Sequence, residues 1–412
     1  MYLAEVEIIR GQGMAEIKRK IVIVGGGTAG TPIMNHLARK IGGENIVLIE
    51  PSENHYYQPL WTLVGAGMIP RKDTVRSQNQ FVPAKVEWVR DYASEFFPHE
   101  NVVITRAGQR IQYEYLIVAP GIQIDYDKIV GLKETLGKNG VCCNYNFDVV
   151  DYTWEAIRNL KEGRALFTSP PMPIKCAGAP QKIMWLAEAY FRDQGRRDKI
   201  QVEYMAAGAS IFGVAKYRMA LEKLLGERSL KTQFRVNLVA IDGKNKKAIF
   251  RNLDTGVEHE ESFDMIHVVP PMSAPDFVAK SPLANAEGWV DVDKFSLQHN
   301  KYPNIYAVGD ASSLPTSRTG AAIRKQAPVL IKNLLAAMNG KHQNSARYNG
   351  YCCCPLVLGH DQVMLAEFDY DGNPSETFPF NQAKPRWSMY ILKRYILPIM
   401  YWRRMIWGYF KP

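Results

Sequence analysis

Short apolar runs that end in glycine turns recur along this chain. Ile21–Val24 is one such run; Gly25-Gly26-Gly27-Thr28-Ala29-Gly30 follows it, and Ile33, Met34, Leu37 and Ala38 then recur at helical spacing. The pattern predicts a strand, a tight turn and a helix. A second apolar strand, Ile46–Ile49, ends in Glu50. Tyr115-Leu-Ile-Val-Ala-Pro-Gly121 and Asn304-Ile-Tyr-Ala-Val-Gly-Asp310 are further strands running into glycine turns. Mid-chain, the strand Arg164–Thr168 enters a proline-rich turn, Ser169–Pro180, and a helical stretch, Ile183–Phe191. From Trp387 to Phe410 the residues predict two short apolar, aromatic helices broken at Pro398. Strands alternating with helices in this way define an α/β chain.

Composition narrows the class. With 412 residues, 46% hydrophobic and 22% charged, the chain is globular and has room for two or three domains. No run of about 18 apolar residues occurs, so no spanning helix is expected and membrane contact would be peripheral. The segment through Lys20 mixes Glu5, Glu7, Arg10, Glu16 and Lys18, which fits a frayed arm rather than an export signal or a mitochondrial presequence; Met14 is an alternative start. A net charge of +10 asks for an anionic partner, yet charge alone does not separate nucleic acid, acidic lipid and anionic substrate. The six cysteines (Cys142, Cys143, Cys176, Cys352, Cys353, Cys354) lack the paired spacing of a zinc site, so no metal is expected and redox or catalytic use is the simpler reading.

The first chemical signal is a dinucleotide cradle. Gly25 permits the tight turn, Gly27 lets the backbone approach a pyrophosphate, Gly30 lets helix and strand pack, and the helix N-terminus attracts the phosphates. Glu50 lies about twenty residues beyond, where a carboxylate meets an adenosine ribose. The strands ending at Gly121 and at Gly309-Asp310 resemble the later nucleotide-contacting strands of the two-dinucleotide-domain flavoproteins, which implies FAD, with Asp310 on the ribityl chain.

That family carries a second glycine fingerprint mid-chain for a nicotinamide. Here the turn holds Pro170, Pro171 and Pro173, which lack donor N–H groups and suit a pyrophosphate poorly. It holds Cys176 instead, preceded by Lys175 and followed by a helix, surroundings that favour thiolate; a buried structural cysteine is the plainer alternative. Tyr351-Cys-Cys-Cys-Pro-Leu-Val357 places more thiols far along the chain, read either as a partner for Cys176 or as an incidental or chelating patch.

These residues resemble sulfide:quinone oxidoreductases, in the branch that includes the animal mitochondrial enzyme and bacterial relatives. The matching stretches are Glu50-Pro-Ser-Glu-Asn-His-Tyr-Tyr-Gln-Pro59, Leu63–Gly67, Lys175-Cys-Ala-Gly-Ala-Pro-Gln-Lys-Ile-Met184, Ile211–Val214, Pro270–Ser273, Gly288–Asp293, Leu314–Ser317 and Cys354-Pro-Leu-Val357. Coverage runs from about Lys20 to the C-terminus. The resemblance implies that Cys176 and Cys354 are the redox pair. It implies cofactor contacts at Gly25, Gly27, Thr28, Ala29, Gly30, Glu50, Gln58, Ala93, Ala119, Gly121, Gly309, Asp310, Thr319 and Gly320. It further implies that HS⁻ attacks an oxidised Cys176–Cys354 link at Cys354, that Cys176 passes two electrons to the flavin, that a thiol, sulfite or second sulfide takes the sulfane sulfur, and that the electrons end on a membrane quinone. Cys142, Cys143, Cys352 and Cys353 depart from the pattern as additional thiols, and Ala311 stands where a cysteine is expected.

The tail reads as an interfacial anchor: apolar faces for the acyl boundary, Trp and Tyr for the headgroups, and Lys393, Arg394, Arg403 and Arg404 for anionic lipid. The alternative is a helical pair docked on the protein's own core or on a dimer partner. A quinone entering from the bilayer would pass Phe378, Phe380 and Tyr390. The expected architecture is an N-terminal arm (1–19), an FAD-binding Rossmann-like domain (20–140 and 288–345), a second Rossmann-like domain without a nicotinamide fingerprint (141–287) and a C-terminal membrane-associating region (346–412). The expected location is peripheral on a bacterial plasma membrane, or on the mitochondrial inner membrane in a eukaryote, with no nucleic-acid partner and a homo-oligomer left open. Rival readings are a type II NADH:quinone oxidoreductase, which needs the missing fingerprint, a flavocytochrome c sulfide dehydrogenase subunit, which would carry an export signal, and a non-catalytic flavin-binding membrane protein.

Overall fold

The computed structural model describes residues 16–341 and 346–410, so most of the expected N-terminal arm, with Met14, lies outside the described residues. The first sheet is built on the strand Ile17–Val24, which pairs in parallel with Ile46–Ile49 on one side and Arg110–Val118 on the other. This strand starts earlier than its apolar run. Lys18 and Arg19 pair through their main chains with Gln112 and Tyr113, and Arg19 meets Glu87 at 2.6 Å, so charged side chains are carried at the edge of an otherwise buried strand. Glu87–Val89 extends the sheet beyond Ile46–Ile49. On the far side, the N-terminal half of Arg110–Val118 pairs with the antiparallel strand Val102–Thr105, which in turn pairs with Ala93–Phe97, and its C-terminal half holds Ile305–Ala307 in parallel.

Register decides where the site falls. Val24 lies opposite both Ile49 and Val118, and Val118 opposite Ala307, so four parallel strands end at one edge. The segments that leave that edge are Gly25–Gly30, Glu50, Ala119–Gly121 and Gly309-Asp310, which sequence separation alone would scatter. In open α/β sheets this carboxyl edge is where ligands bind.

The second sheet is wholly parallel, in the order Val141-Cys142, Met265–His267, Gly163–Ser169, Ile200–Ala206, Lys231–Phe234. A three-stranded antiparallel meander, Val236–Ser262, covers a smaller core of its own. The helix after the proline-rich turn runs Ala179–Asp193, four residues earlier at its start than its apolar spacing indicates, because Pro180 is tolerated in a first helical turn. Its buried face (Ile183, Met184, Trp185, Ala187) joins the main core, which also takes in Cys352, Cys354 and Leu356 of the hairpin Cys352–Val357/Val363–Phe368.

The tail departs from expectation. Trp387–Met405 is one helical run, not two helices, and Pro398 sits inside it. A π-helical turn, Leu392–Ile396, precedes the proline; its wider register relieves the clash of the ring with the carbonyl four residues back. One face docks on the protein: Tyr401 stacks on Tyr57 at 4.4 Å and Trp402 on Phe81 at 5.7 Å. The other face leaves Trp387, Tyr395, Ile396 and Ile399 exposed beside Arg403 and Arg404. No helix among the described residues is long and apolar enough to cross a membrane.

Candidate active site

The glycine turn has the shape its sequence requires. Gly25 holds φ +99°, and a Cβ there would lie 2.3 Å from the Ala119 carbonyl oxygen; a Cβ on Gly30 would lie 1.8 Å from the Gly25 oxygen. Any side chain at either position would force strand, turn and helix apart. At Gly27 nothing lies within 4 Å, so this residue faces an open mouth. Glu50 accepts from the Gly26 N–H at 2.6 Å and the Ser52 N–H at 2.7 Å. Burial raises its pKa while those two bonds oppose the rise, and the remaining lone pairs can take ribose hydroxyls.

The other expected cofactor residues converge on this edge or border it. The Ala119 N–H donates to the Val24 oxygen at 2.8 Å, Gly121 turns at φ +82°, and Gly309 turns at φ +76° with its N–H on Gln326. Thr319 caps the helix Gly320–Met338, and the Cβ position of Gly320 lies 3.8 Å from both Pro59 and Thr28, which brings this second helix start to the first. Burial pushes the Asp310 carboxyl up, against the pull of Lys175 and Arg318. Gln58 accepts from Lys175 Nζ at 3.0 Å. Ala93 is buried at the start of its strand. An open cradle, a carboxylate at the end of the second strand and a half-buried Asp310 together fit FAD.

The two distant cysteines meet. Cys176 Sγ and Cys354 Sγ lie 3.8 Å apart, in contact and unbonded. Cys176 adopts φ +54°, a left-handed backbone uncommon outside glycine, and its N–H bonds the Arg318 oxygen while its carbonyl accepts from Ala179. Cys354 projects from its strand on the face shared with Cys352, and Cys353 takes the opposite face by the period of two. Gly178 makes the meeting close: a Cβ there would lie 2.4 Å from Leu356 Cδ2 and 3.6 Å from Cys354 Cβ.

Lysine placement corrects the sequence reading. Lys175 turns to Gln58, and the ammonium beside Cys176 belongs to Lys182, one turn into the helix, which donates to Cys176 Sγ at 3.3 Å. Burial works against the Lys182 charge, yet the Cys176 and Cys354 sulfurs raise it above the usual lysine value. In the dithiol form the hydrogen bond to Cys354 and burial push Cys176 well up, with Lys182 opposing. Cys354 is pulled down by Cys176, but Cys352 and burial outweigh this and push it up to about 12. The reduced pair is therefore held as thiols, and a thiolate arises only when the bond of an oxidised pair is broken and one sulfur leaves.

Lys393 and Arg394 were expected to face lipid, and neither does. Lys393 is buried and donates to the Pro59 oxygen at 2.7 Å; burial and then Lys182 lower its pKa to about 7. Arg394 donates to Tyr390 and to the Met68 oxygen. Phe378 and Phe380 stack at 5.3 Å, half-buried, with Arg386 over Phe380. Cys142 and Cys143 are buried, Cys142 donating to the Ile266 oxygen and Cys143 accepting from the Tyr145 N–H. Among the described residues no group of three or more His, Cys, Asp or Glu is arranged to hold a metal.

A dinucleotide cradle at one sheet edge, a second parallel domain and a thiol pair between them define a flavin-dependent oxidoreductase of the two-dinucleotide-domain class. The pyridine nucleotide-disulphide oxidoreductase family matches at residues 19–146, and FAD is the cofactor. The chain is 45% identical over 391 residues to the mitochondrial sulfide:quinone oxidoreductase of Mus musculus, covering 95% of this chain and 87% of that protein. It is 39% identical to the Schizosaccharomyces pombe mitochondrial protein of the same name, covering 94% and 90%. In fold it matches the sulfide:quinone oxidoreductase of Aquifex aeolicus with a TM-score of 0.81 at 19% identity, covering 96% and 93%. The chain belongs to the sulfide:quinone oxidoreductase family.

Proposed function

We propose that this chain oxidises sulfide at Cys176 and Cys354 and delivers the electrons through FAD to a membrane quinone. The contact of the two sulfurs beside the Lys182 ammonium carries the reading. In the oxidised pair, HS⁻ attacks Cys354 Sγ, the S–S bond breaks, and its electron pair leaves on Cys176, where Lys182 donates to the new thiolate. Cys354 keeps the sulfane sulfur as a persulfide until a thiol, sulfite or second sulfide removes it. FAD, when bound, supplies a two-electron acceptor that a quinone can reoxidise. Lys182 and Lys393 also make the pocket attractive to an anion.

Anaerobic titration tests this. Sulfide should bleach the flavin of the purified protein, a quinone analogue should restore it, and NADH should do neither. Bleaching by NADH with none by sulfide would favour the type II NADH reading, which the prolines of residues 169–180 oppose.

We place the protein peripherally on a membrane, with the exposed face of the tail in the interface and the quinone path past Phe378, Phe380 and Tyr390. The Mus musculus and Schizosaccharomyces pombe relatives are named mitochondrial, and a bacterial plasma membrane is not supported for this chain. Burying two isoleucines is worth ~3 kcal/mol or more. Changing Tyr395, Ile396 and Ile399 together to Ser should weaken partition onto anionic vesicles by about a hundredfold. Sulfide-dependent bleaching should stay intact in that variant. Vesicle binding at wild-type strength would move the membrane face elsewhere.

A further inference from the structure

The tail does more than present an apolar face. The Tyr401 hydroxyl lies 2.5 Å from His55 Nε2 and 3.3 Å from Thr28 Oγ1 of the glycine turn. His55 Nδ1 faces two acceptors, Gln78 Oε1 at 2.8 Å and the Gly26 oxygen at 3.2 Å. Thr31 Oγ1 donates to the same Gly26 oxygen at 2.5 Å and accepts from Gln78 Nε2 at 3.0 Å. Tyr401, His55, Gln78 and Thr31 are all buried, so each bond acts at low dielectric.

Proton accounting fixes the direction of this chain. Burial lowers His55 to about pH 4, so the ring is neutral near pH 7 and carries one proton. With only acceptors at Nδ1, the proton sits there, and Nε2 is a bare lone pair. Tyr401 must therefore donate to His55, and the Thr28 hydroxyl donates to Tyr401. At its other end the chain pins the Gly26 carbonyl inward. In a trans peptide the carbonyl and the following N–H point opposite ways, so pinning the Gly26 oxygen turns the Gly27 N–H outward, on the residue whose Cβ position is open.

We propose that Tyr401 is a positioning residue of the FAD cradle, so that seating the C-terminal helix and retaining FAD are one equilibrium. The helix is well placed for this. Its inner face is clamped to the same domain by Asn35 on the Ile406 oxygen at 3.1 Å, by His36 on the Gly408 oxygen at 2.9 Å and by Tyr57 stacked on Tyr401. Phe at 401 would keep the stacking and remove only the hydroxyl, leaving His55 Nε2 unpaired, its ring free to shift off the Gly26 oxygen, and that peptide held by Thr31 alone.

The test is FAD affinity of the full chain, read by flavin fluorescence, together with melting of the apo-protein. Tyr401→Phe should weaken FAD about tenfold and Thr28→Val about threefold. The double variant should be no weaker than Tyr401→Phe alone, since both cut one chain of bonds. Apo-protein melting should fall by no more than a few degrees in any of the three, because the helix keeps its stacking and its bonds to Asn35 and His36. Wild-type FAD affinity in Tyr401→Phe overturns the proposal, and so do losses that multiply in the double variant, which would mark Thr28 and Tyr401 as acting on FAD independently.

Discussion

Replacing Cys354 by Ser abolishes sulfide-dependent flavin bleaching, by about a thousandfold or more, while FAD stays bound with an unchanged visible spectrum. The physical reason is that HS⁻ attacks the disulfide of the oxidised pair, and serine cannot form one with Cys176. A thousandfold loss corresponds to ~4 kcal/mol of barrier, which is what removing the bond that breaks should cost. Cys176→Ser should match it, and the double variant should be no worse, because the pair acts as one unit. Folding is not at risk: Ser317 Oγ sits 3.8 Å from Cys354 Sγ and can take up a serine hydroxyl. Stopped-flow absorbance under anaerobic sulfide measures the rate, and wild-type bleaching by either variant removes the dithiol from the mechanism. Cys353→Ser should bleach normally, since Cys353 takes the opposite face of the strand and makes no observed hydrogen bond to either sulfur of the pair, which separates the pair from this strand neighbour.

The cradle was legible in the sequence because its chemistry is local. Gly25, Gly27 and Gly30 lie in one turn, and Glu50 ends the neighbouring strand, so spacing and geometry coincide. Gly121, Gly309 and Asp310 were placed by resemblance, and their physical reason appears only in the register that aligns Val24, Val118 and Ala307. The cysteine pair was likewise legible by resemblance; spacing says nothing of a contact between residues so far apart in the chain. Lys182 could not be picked out, because a lysine on a helix is ordinarily solvated, and only the left-handed backbone of Cys176 turns its sulfur back over the first helical turn. Gly178 gave no signal either, since its role is the absence of a side chain against Leu356. The tail shows a third kind of limit. Paired bases among aromatic residues point to lipid without saying which way each side chain faces, and the π turns Leu392–Ile396 and Tyr401–Met405 shift the helical phase, so that Lys393 lies inside while Arg403 and Arg404 face out.

Two lysines near one sulfur pair make opposite demands, and pH separates them. Lys182 stays charged through neutral pH, so Lys182→Met removes the donor to the departing Cys176 thiolate at every pH. Such a charge-assisted bond is worth ~1.5–3 kcal/mol, giving bleaching slower by about tenfold to a hundredfold with FAD retained. Lys393, with its pKa lowered to about 7, is an ammonium below that pH and neutral above it. Its pull on HS⁻ is therefore lost as pH rises through 7, and wild-type bleaching, expressed per HS⁻, should fall on that limb; Lys393→Met should be flat and low across it. Stability runs the other way. The folded pKa lies below the usual ~10.4 of a lysine, so the unfolded chain binds the extra proton between the two values and the lysine's burial penalty is full below pH 7, fading as pH rises toward 10. Lys393→Met removes a buried charge and should melt no lower than wild type at pH 6, even with the bond to Pro59 gone. A variant that is slow because it is unstable would show the reverse. An unchanged pH profile in Lys393→Met, together with undiminished bleaching in Lys182→Met, would leave the thiol pair to act without electrostatic help, and the buried lysines would need a structural explanation instead.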